Sequence, residues 1–317
     1  MKRPTPPRPT AAAPARASPS LSPASPPTPP SPALRWGVEQ RLAFPEERLF
    51  WLGEVNRADL VARFGVSMSQ ASGDIARYLA RNPPGVAYDK SAKRYVAGPD
   101  FAPVLAPADA GRFLGELRLV ELGVLAANDT MLGALPPFAA APVPQRPVDA
   151  VLLRAVLAAI RERRALEALY QSMSRPSPMR RVIEPHALAY DGFRWHARAF
   201  DRERQEFRDF VLGRLSKTAA AGPAGSDPRE DANWHAIIEL VVGPHPKLTP
   251  AQARAIALDY GIHRGELRIP VRRALLFYAL KRLGLDVMPD ARPPHEQHIV
   301  LLNRAEVEAA LTVRGET

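Results

Sequence analysis

Residues 166–217 hold the densest run of strand signals in the chain, and that run constrains what its middle can become. Asp191-Gly192 is a two-residue type I′ hairpin signal with alternation on both sides. Ahead of it, His186, Leu188 and Tyr190 share one strand face. After it, Phe193, Trp195, Ala197 and Ala199 take one face, while Arg194, His196 and Arg198 take the other. A second polar turn, Asp201 to Gln205, leads into a half-apolar strand from Phe207 to Leu212. Four or five short antiparallel strands predict a small closed barrel, because closure removes exposed edges. Trp195 is the expected plug of its core.

Around this centre, a length of 317 residues predicts two or three domains, and a hydrophobic fraction of 46% supplies their cores despite 35 prolines. A net charge of +10 and a pI near 10.3 favour a polyanionic partner, nucleic acid or an anionic membrane surface. No apolar run approaches the roughly 20 residues of a membrane span, so no integral membrane protein is expected; of the two polyanions, nucleic acid is the expected partner and a membrane is not. The absence of cysteine excludes disulfides, thiolate catalysis and cysteine-ligated zinc, and fits a cytoplasmic protein. Residues 1–33 hold twelve prolines, a few basic residues and no acid, the composition of a disordered tail rather than an export signal.

The first folded unit is expected at 34–100. Pro45, Glu46 and Glu47 suit a helix start, with Leu49, Phe50 and Leu52 on its apolar face. A second helix is predicted at Arg57 to Phe64, with Leu60, Val61 and Phe64 inward. Gly65-Val66-Ser67 then turns the chain, and Ser67 caps a third helix reaching about Arg81. Met68, Ala71, Ile75, Tyr78 and Leu79 fall on the inner side of that helix, and Ser69, Gln70, Gly73 and Arg77 on the outer. Helix, glycine turn, helix is the helix-turn-helix pattern. Two strands around Asp89-Lys90-Ser91-Ala92-Lys93 add a basic-tipped wing. The expected DNA contacts are Ser67, Ser69, Gln70, Ser72, Gly73 and Arg77 on the helix and Lys90, Lys93 and Arg94 on the wing.

Residues 101–150 read as a connector, helical from Arg112 to Leu125 (Phe113, Leu117, Val120 and Val124 at helical spacing) and then proline-rich and extended. A helix over Leu152 to Leu166 opens the central domain, 151–221. Gly222 to Asp231 is a break. Beyond it, at 232–317, a strand (Ala236 to Val242), a helix capped by Thr249, a helix from Val271 to Leu283 and a short strand (His298 to Leu302) predict a small α/β domain. His295-x-x-His298 is two ligands short of a metal site, and no metal is expected.

Three motifs carry a resemblance: Tyr170 to Pro176 (YQSMSRP), Glu184 to Phe200 (EPHALAYDGFRWHARAF) and Phe207 to Arg214 (FRDFVLGR). They resemble the WYL domain of bacterial transcription regulators, and most closely the BrxR/CapW-like branch that represses phage-defence operons. The eponymous triplet reads Trp195-His196-Ala197, so only its tryptophan survives. The resemblance implies an α+β multidomain chain: an N-terminal winged helix-turn-helix, a central Sm/SH3-like β-barrel and a C-terminal extension that serves in dimer contacts. It also implies a homodimeric repressor on a palindromic double-stranded DNA operator.

In the barrel, arginine forks beside serine and tyrosine hydroxyls suit an anionic ligand. The expected ligand residues are Tyr170, Ser172, His186, His196, Arg198, Arg208 and Arg214, with Trp195 beside them. No cofactor is expected. The effector class is a nucleotide, an oligonucleotide or single-stranded nucleic acid. Two other readings stand next to the repressor: an activator responding to DNA damage, and a module for single-stranded nucleic acid. Walker, G-x-S-x-G and H-E-x-x-H motifs are all missing, so no enzyme is expected.

Overall fold

The computed structural model describes residues 36–133, 135–144 and 146–312. The tail at 1–33 and the start of the first unit at Leu34 lie outside the described residues. Two compact units meet in sequence at Pro142 and Val143.

The first unit runs α1 (Trp36–Leu52), β1 (Glu54–Val55), α2 (Arg57–Phe64), α3 (Met68–Leu79), β2 (Val86–Asp89), β3 (Arg94–Ala97) and α4 (Ala110–Glu121). Local chemistry sets its turns. Asn56 and Asp59 form a capping box that starts α2, left-handed Gly65 (φ 63°) ends it, and the Ser67 hydroxyl accepts the Gln70 N–H to start α3. Phe44, Leu49, Leu60, Ala71, Ile75 and Tyr78 pack as the core. The strands order β1-β3-β2, making the wing a three-stranded sheet.

Two expectations change here. Pro45 lies inside α1 instead of opening it, because Leu42 and Phe44 ahead of it are buried in the same core as Leu49. Met68, the first residue of α3, is exposed, so the inner stripe begins at Ala71. The start of the stretch read as connector packs on this unit. The Glu46 carboxylate accepts the Val104, Leu105 and Ala106 amides, and Phe113 of α4 meets Trp51 with centroids 4.6 Å apart. α4 spans Ala110–Glu121, and Val124 lies beyond it, exposed.

The second unit opens with α5 (Ala150–Glu162). Left-handed Arg163 (φ 53°) ends the helix, so Arg164 to Leu166 are strand, not helix. β4 (Arg164–Tyr170), β5 (Met179–Tyr190), β6 (Trp195–Asp201), β7 (Glu206–Val211) and β8 (Leu215–Pro223) form one antiparallel sheet, ordered β7-β6-β5-β4-β8. Ala168, Ile183, Ala197, Ala199, Phe210 and Leu212 face α5 across its core.

The expected closure is absent as a hydrogen-bonded ladder. β7 and β8 are joined by a 3-10 turn, Leu212–Arg214, and among the described residues no ladder pairs them. A register shift against β4 between Glu167 and Leu169, with left-handed Lys217 (φ 50°), makes β8 a bulged edge, another way of blunting one.

The hairpin turn is also displaced by one residue. Asp191 N–H donates to Arg194 O, and the central pair is Gly192 (φ 97°) and Phe193. The Asp191 carboxylate closes the turn further by accepting the Phe193 and Arg194 amides at 2.7 and 2.6 Å. Trp195 is not a core plug: it is 49% exposed. Its parity with Ala197 and Ala199 holds, but it stands at the strand end past the core, against Tyr190 of β5 (centroids 4.9 Å).

After β8 come α6 (Ala232–His235), β9 (Ile237–Pro244), α7 (Pro250–Tyr260), β10 (Leu267–Arg272), α8 (Leu276–Leu283), β11 (Ile299–Leu301) and α9 (Arg304–Thr312). Thr249 and Gln252 form the capping box of α7. Val271 belongs to β10 and not to a helix, and β10 is a strand that the sequence pattern does not reveal. Its Pro270 is tolerated because β10 is an edge of the β10-β9-β11 sheet.

Candidate nucleic-acid interface and effector pocket

On the first unit, Ser69 and Gln70 stand exposed at the amino end of α3, with Arg77 two turns on. What holds Gln70 and Arg77 is Asp74, fully buried on the same helix. It takes Arg41 Nε at 2.8 Å and Gln70 Nε2 at 3.0 Å, with Arg77 Nη1 at 3.6 Å. Asp74 is not among the expected residues, since one acid on a helix reads as surface. Ser67 accepts the Gln70 N–H as the cap of α3, and the Ser72 hydroxyl donates back to Met68 O, so the Ser72 donor is spent on its own helix. Gly73 opens on empty space.

In the wing, the Asp89 carboxylate accepts the Ser91 and Ala92 amides and the Ser91 hydroxyl, presenting Lys90 and left-handed Lys93 at the tip. Neither lysine has a carboxylate partner among the described residues. Arg94 instead pairs with Glu54 of β1. A cleft of about 210 Å³ between α3 and the wing is lined by Asn56, Arg57, Ser72, Tyr88, Lys93 and Tyr95, which adds Arg57 to the exposed cations.

In the second unit the polar face of β6 is buried against the segment that follows β8. Arg198 is 2% exposed and Asp231 is 1% exposed. The Arg198 fork meets the Asp231 carboxylate at 2.7 Å (Nε to Oδ2) and 2.9 Å (Nη2 to Oδ1), while Nη1 reaches Asp209 at 3.1 Å. His186 Nε2 lies 3.0 Å from the same Asp231, which also accepts the Trp234 N–H as the cap of α6. Burial opposes charge on Asp231, but Arg198 and His186 outweigh it and hold the carboxyl far below the usual range. Arg198 is raised above the ordinary guanidinium value for the matching reason, against its own burial. His186 and Arg198 are therefore spent on a link between sheet and C-terminal domain. They do not line the pocket.

The pocket lies on the other side of Asp209, a cavity of about 320 Å³. Of the expected residues it gathers Tyr170, Ser172, His196, Arg208 and Arg214, and it adds Arg175, Arg181, Arg194 and Arg204, with Phe277 and Tyr278 of α8. The lining holds six arginines and two aspartates, Asp201 and Asp209. Both aspartates are already engaged, by Arg181 (3.3 Å) and Arg198. Arg204 and Arg214 have no carboxylate partner among the described residues. The wall is thus a net cation facing solvent, with guanidinium forks suited to phosphate or carboxylate oxygens.

His196 is buried in that wall. Nε2 meets Asp191 Oδ2 at 2.9 Å, its ring lies 5.2 Å from Tyr278, and Nδ1 has no hydrogen-bond partner. Trp195 lies outside this pocket, in a neighbouring cleft of about 350 Å³ that shares Arg194 and Arg214.

Two further buried carboxylates brace the sheet. Burial works against the Asp191 charge, but His196, the Phe193 and Arg194 amides and the Arg194 guanidinium bring the carboxyl down to about 2. Glu184, also opposed by burial, accepts the Ser226 and Gly225 amides and Arg202 Nε and is likewise lowered to about 2. Because both folded values lie below the ordinary 3.8 and 4.5, their stabilisation is complete above those values and is lost as pH falls toward 2. Urea denaturation at pH 7, 4 and 3 should show stability steady to about pH 4.5 and falling below it. Asp191→Asn should flatten that fall. An unchanged slope in the variant would contradict the assignment.

The order of winged helix, sheet and α/β domain is that of a WYL-domain transcription regulator. Family models match in the same order: the BrxR transcriptional regulator winged helix-turn-helix domain at residues 37–119, the WYL domain at 151–219, and the BrxR C-terminal dimerization domain at 237–307. The DNA-binding transcriptional repressor CapW of Stenotrophomonas maltophilia is 38% identical over 278 residues, 87% of this chain and 92% of its own. CapW of Pseudomonas aeruginosa is 37% identical over 274 residues, 86% of this chain and 92% of its own. The chain belongs to the BrxR/CapW family of WYL-domain transcriptional regulators. Among solved structures, proteasome accessory factor PafBC of Arthrobacter aurescens aligns over 88% of this chain and 46% of its own, at 21% identity and a TM-score of 0.27.

Proposed function

We propose that this chain is a homodimeric, DNA-binding transcriptional repressor whose central domain takes an anionic effector. The observation that carries the reading is the exposed amino-terminal face of α3, held from below by Asp74 beside a wing with two unpaired lysines. The CapW relatives, named as DNA-binding repressors, match across most of the chain and support it. Dimerisation fits the same mechanism, since one small reading head gives limited specificity and a two-fold pair reads an inverted repeat. The central sheet belongs in this reading as an Sm/SH3-like fold whose edges are brought round by the 3-10 turn after β7. A cytoplasmic location and control of a phage-defence operon follow from the family resemblance.

The effector reading rests on Arg204, Arg208 and Arg214 around a cavity of nucleotide size. A second effector class, single-stranded nucleic acid, is favoured by one observation. Tyr190, Phe193 and Trp195 are all exposed, and Trp195 lines a cleft with Arg146, Arg194 and Arg214, giving stacking faces beside cations.

The test is a mobility-shift assay at physiological salt on DNA upstream of the gene, against scrambled duplex and single-strand competitors. Binding to an inverted repeat should survive competition by scrambled duplex. Equal, salt-sensitive binding to every duplex would reject the operator reading. For the pocket, a 5′-phosphorylated deoxynucleotide and a short oligothymidylate serve as probes. Arg208→Ala/Arg214→Ala should weaken whichever probe binds by about tenfold or more, given about 1.5–3 kcal/mol for a charged hydrogen bond, with operator binding in its absence unchanged. Probe binding at wild-type strength in that variant would place the effector elsewhere.

A further inference from the structure

We infer that Gln171, just past the end of β4, is a positioning residue for the anionic effector. It does not line the cavity, yet it engages the peptide carbonyls of three residues that do, which leaves hydroxyls and guanidinium groups for an anion. The inference rests on the effector reading and deepens it by naming what makes this part of the wall anion-selective.

The loop from 172 to 178 joins β4 to β5 and supplies Ser172, Met173, Ser174 and Arg175 to the cavity wall. No backbone–backbone hydrogen bond falls within it among the described residues. Side chains fix it instead. Gln171 Nε2 donates to Ser172 O at 2.7 Å and to Arg175 O at 2.8 Å, which uses both N–H bonds of the carboxamide. The Gln171 backbone N–H donates to Arg214 O at 3.2 Å, at the end of the 3-10 turn after β7. One residue thus ties two separate parts of the wall together, the loop and Arg214.

The carbonyls matter because their oxygens only accept hydrogen bonds, so a free one beside an anion repels it. With the Ser172, Arg175 and Arg214 carbonyls engaged, these stretches of wall have donors left. They are the Ser172 and Ser174 hydroxyls, 3.2 Å apart, and the Arg175 and Arg214 guanidinium groups. Neither arginine is paired with a carboxylate among the described residues. Arg175 Nη1 donates only to Met179 Sδ, at 2.6 Å, and a thioether is a weak acceptor that an anion outcompetes. A carboxamide is the side chain that does this without charge: glutamate has the same length and no N–H to give.

The experiment is isothermal titration calorimetry on the full chain, with thymidine 5′-monophosphate and 5′-phosphorylated oligothymidylate as probes in turn. Gln171→Met keeps the length and removes the donors. It should weaken whichever probe binds by about tenfold, the weight of one to two neutral hydrogen bonds, with the urea midpoint and operator binding unchanged. Gln171→Glu should weaken it further, since it sets a negative charge against two carbonyls. Mutant cycles separate positioning from general damage. Arg175→Ala should cost at least about threefold less in the Gln171→Met background than in wild type, because its loop is already released. Arg208→Ala, on β7 and with no hydrogen bond to Gln171, should cost the same in both to within about twofold. Probe binding at wild-type strength in Gln171→Met overturns the inference while the pocket stands. So does an Arg175→Ala cost that is equal in both backgrounds, which marks Gln171 as merely structural. If the wild-type chain binds neither probe, the effector reading falls and this inference with it.

Discussion

Asp231→Ala is expected to lower folding stability by about 3–5 kcal/mol, the usual cost of removing one partner of a buried ion pair. The size follows from what the change strands. Arg198, almost wholly enclosed, would be left with Asp209 alone where the Asp231 carboxylate now accepts both Nε and Nη2. His186 would be without its partner, and the first turn of α6 without its cap. Urea denaturation monitored by Trp fluorescence would read the loss of stability, and Trp234, which lies 5.8 Å from the His186 ring, reports from the site itself. The Arg198→Met/Asp231→Leu double variant should recover part of the stability, because the buried charge goes with its partner. Recovery stays partial, since Asp209 is then deprived of Arg198. A destabilisation below about 1 kcal/mol for Asp231→Ala, the scale of a solvated pair, would mean that water reaches Arg198 and that the sheet and C-terminal domain are not locked through this cluster.

That cluster also shows where sequence reasoning reaches and where it stops. Local signals place the capping residues well: Ser67 and Thr249 start the predicted helices because a cap is satisfied within three residues of itself. Alternation along β6 separates Arg194, His196 and Arg198 from Ala197 and Ala199 for the same reason. What periodicity does not carry is the identity of the covering surface. Asp231 meets Arg198 from 33 residues away, out of a stretch that reads as a break between domains. Asp191 reads as a turn residue and Asp74 as helix surface, yet both are buried carboxylates that organise candidate sites.

The departures at Pro45 and Trp195 have the same origin. A proline reads as a helix start where buried neighbours ahead of it extend the helix, and a tryptophan reads as core although it stands past the core's end. Five of the eight residues expected around the ligand do line one cavity. The motif marks the right strands, while strand ends and the packing of the C-terminal domain decide which side chains reach the cavity.

Gln70→Ala with Arg77→Ala is expected to weaken operator binding by about a hundredfold or more, with dimer and fold intact. Removing one base or phosphate interaction costs about 1–3 kcal/mol, and a two-fold dimer suffers each removal twice. The side chains are exposed and their backbone is unstrained, so the fold depends little on them. Asp74 keeps its ion pair with Arg41 when both are cut back, which preserves the buried carboxylate's partner. The two changes should also separate by mechanism. Arg77→Ala alone removes a cation near the backbone, so it should weaken all duplexes alike and reduce the salt dependence by about one unit of slope per copy. Gln70→Ala alone should relax sequence preference and leave the salt slope unchanged. Lys90→Ala/Lys93→Ala in the wing should resemble Arg77→Ala, because those lysines present charge at a tip with no base-reading geometry. Titration of each variant on the inverted repeat at three salt concentrations distinguishes these outcomes. Wild-type affinity in the Gln70→Ala/Arg77→Ala protein would show that α3 is not the reading helix, and attention would move to Arg57 and the cleft it shares with Lys93.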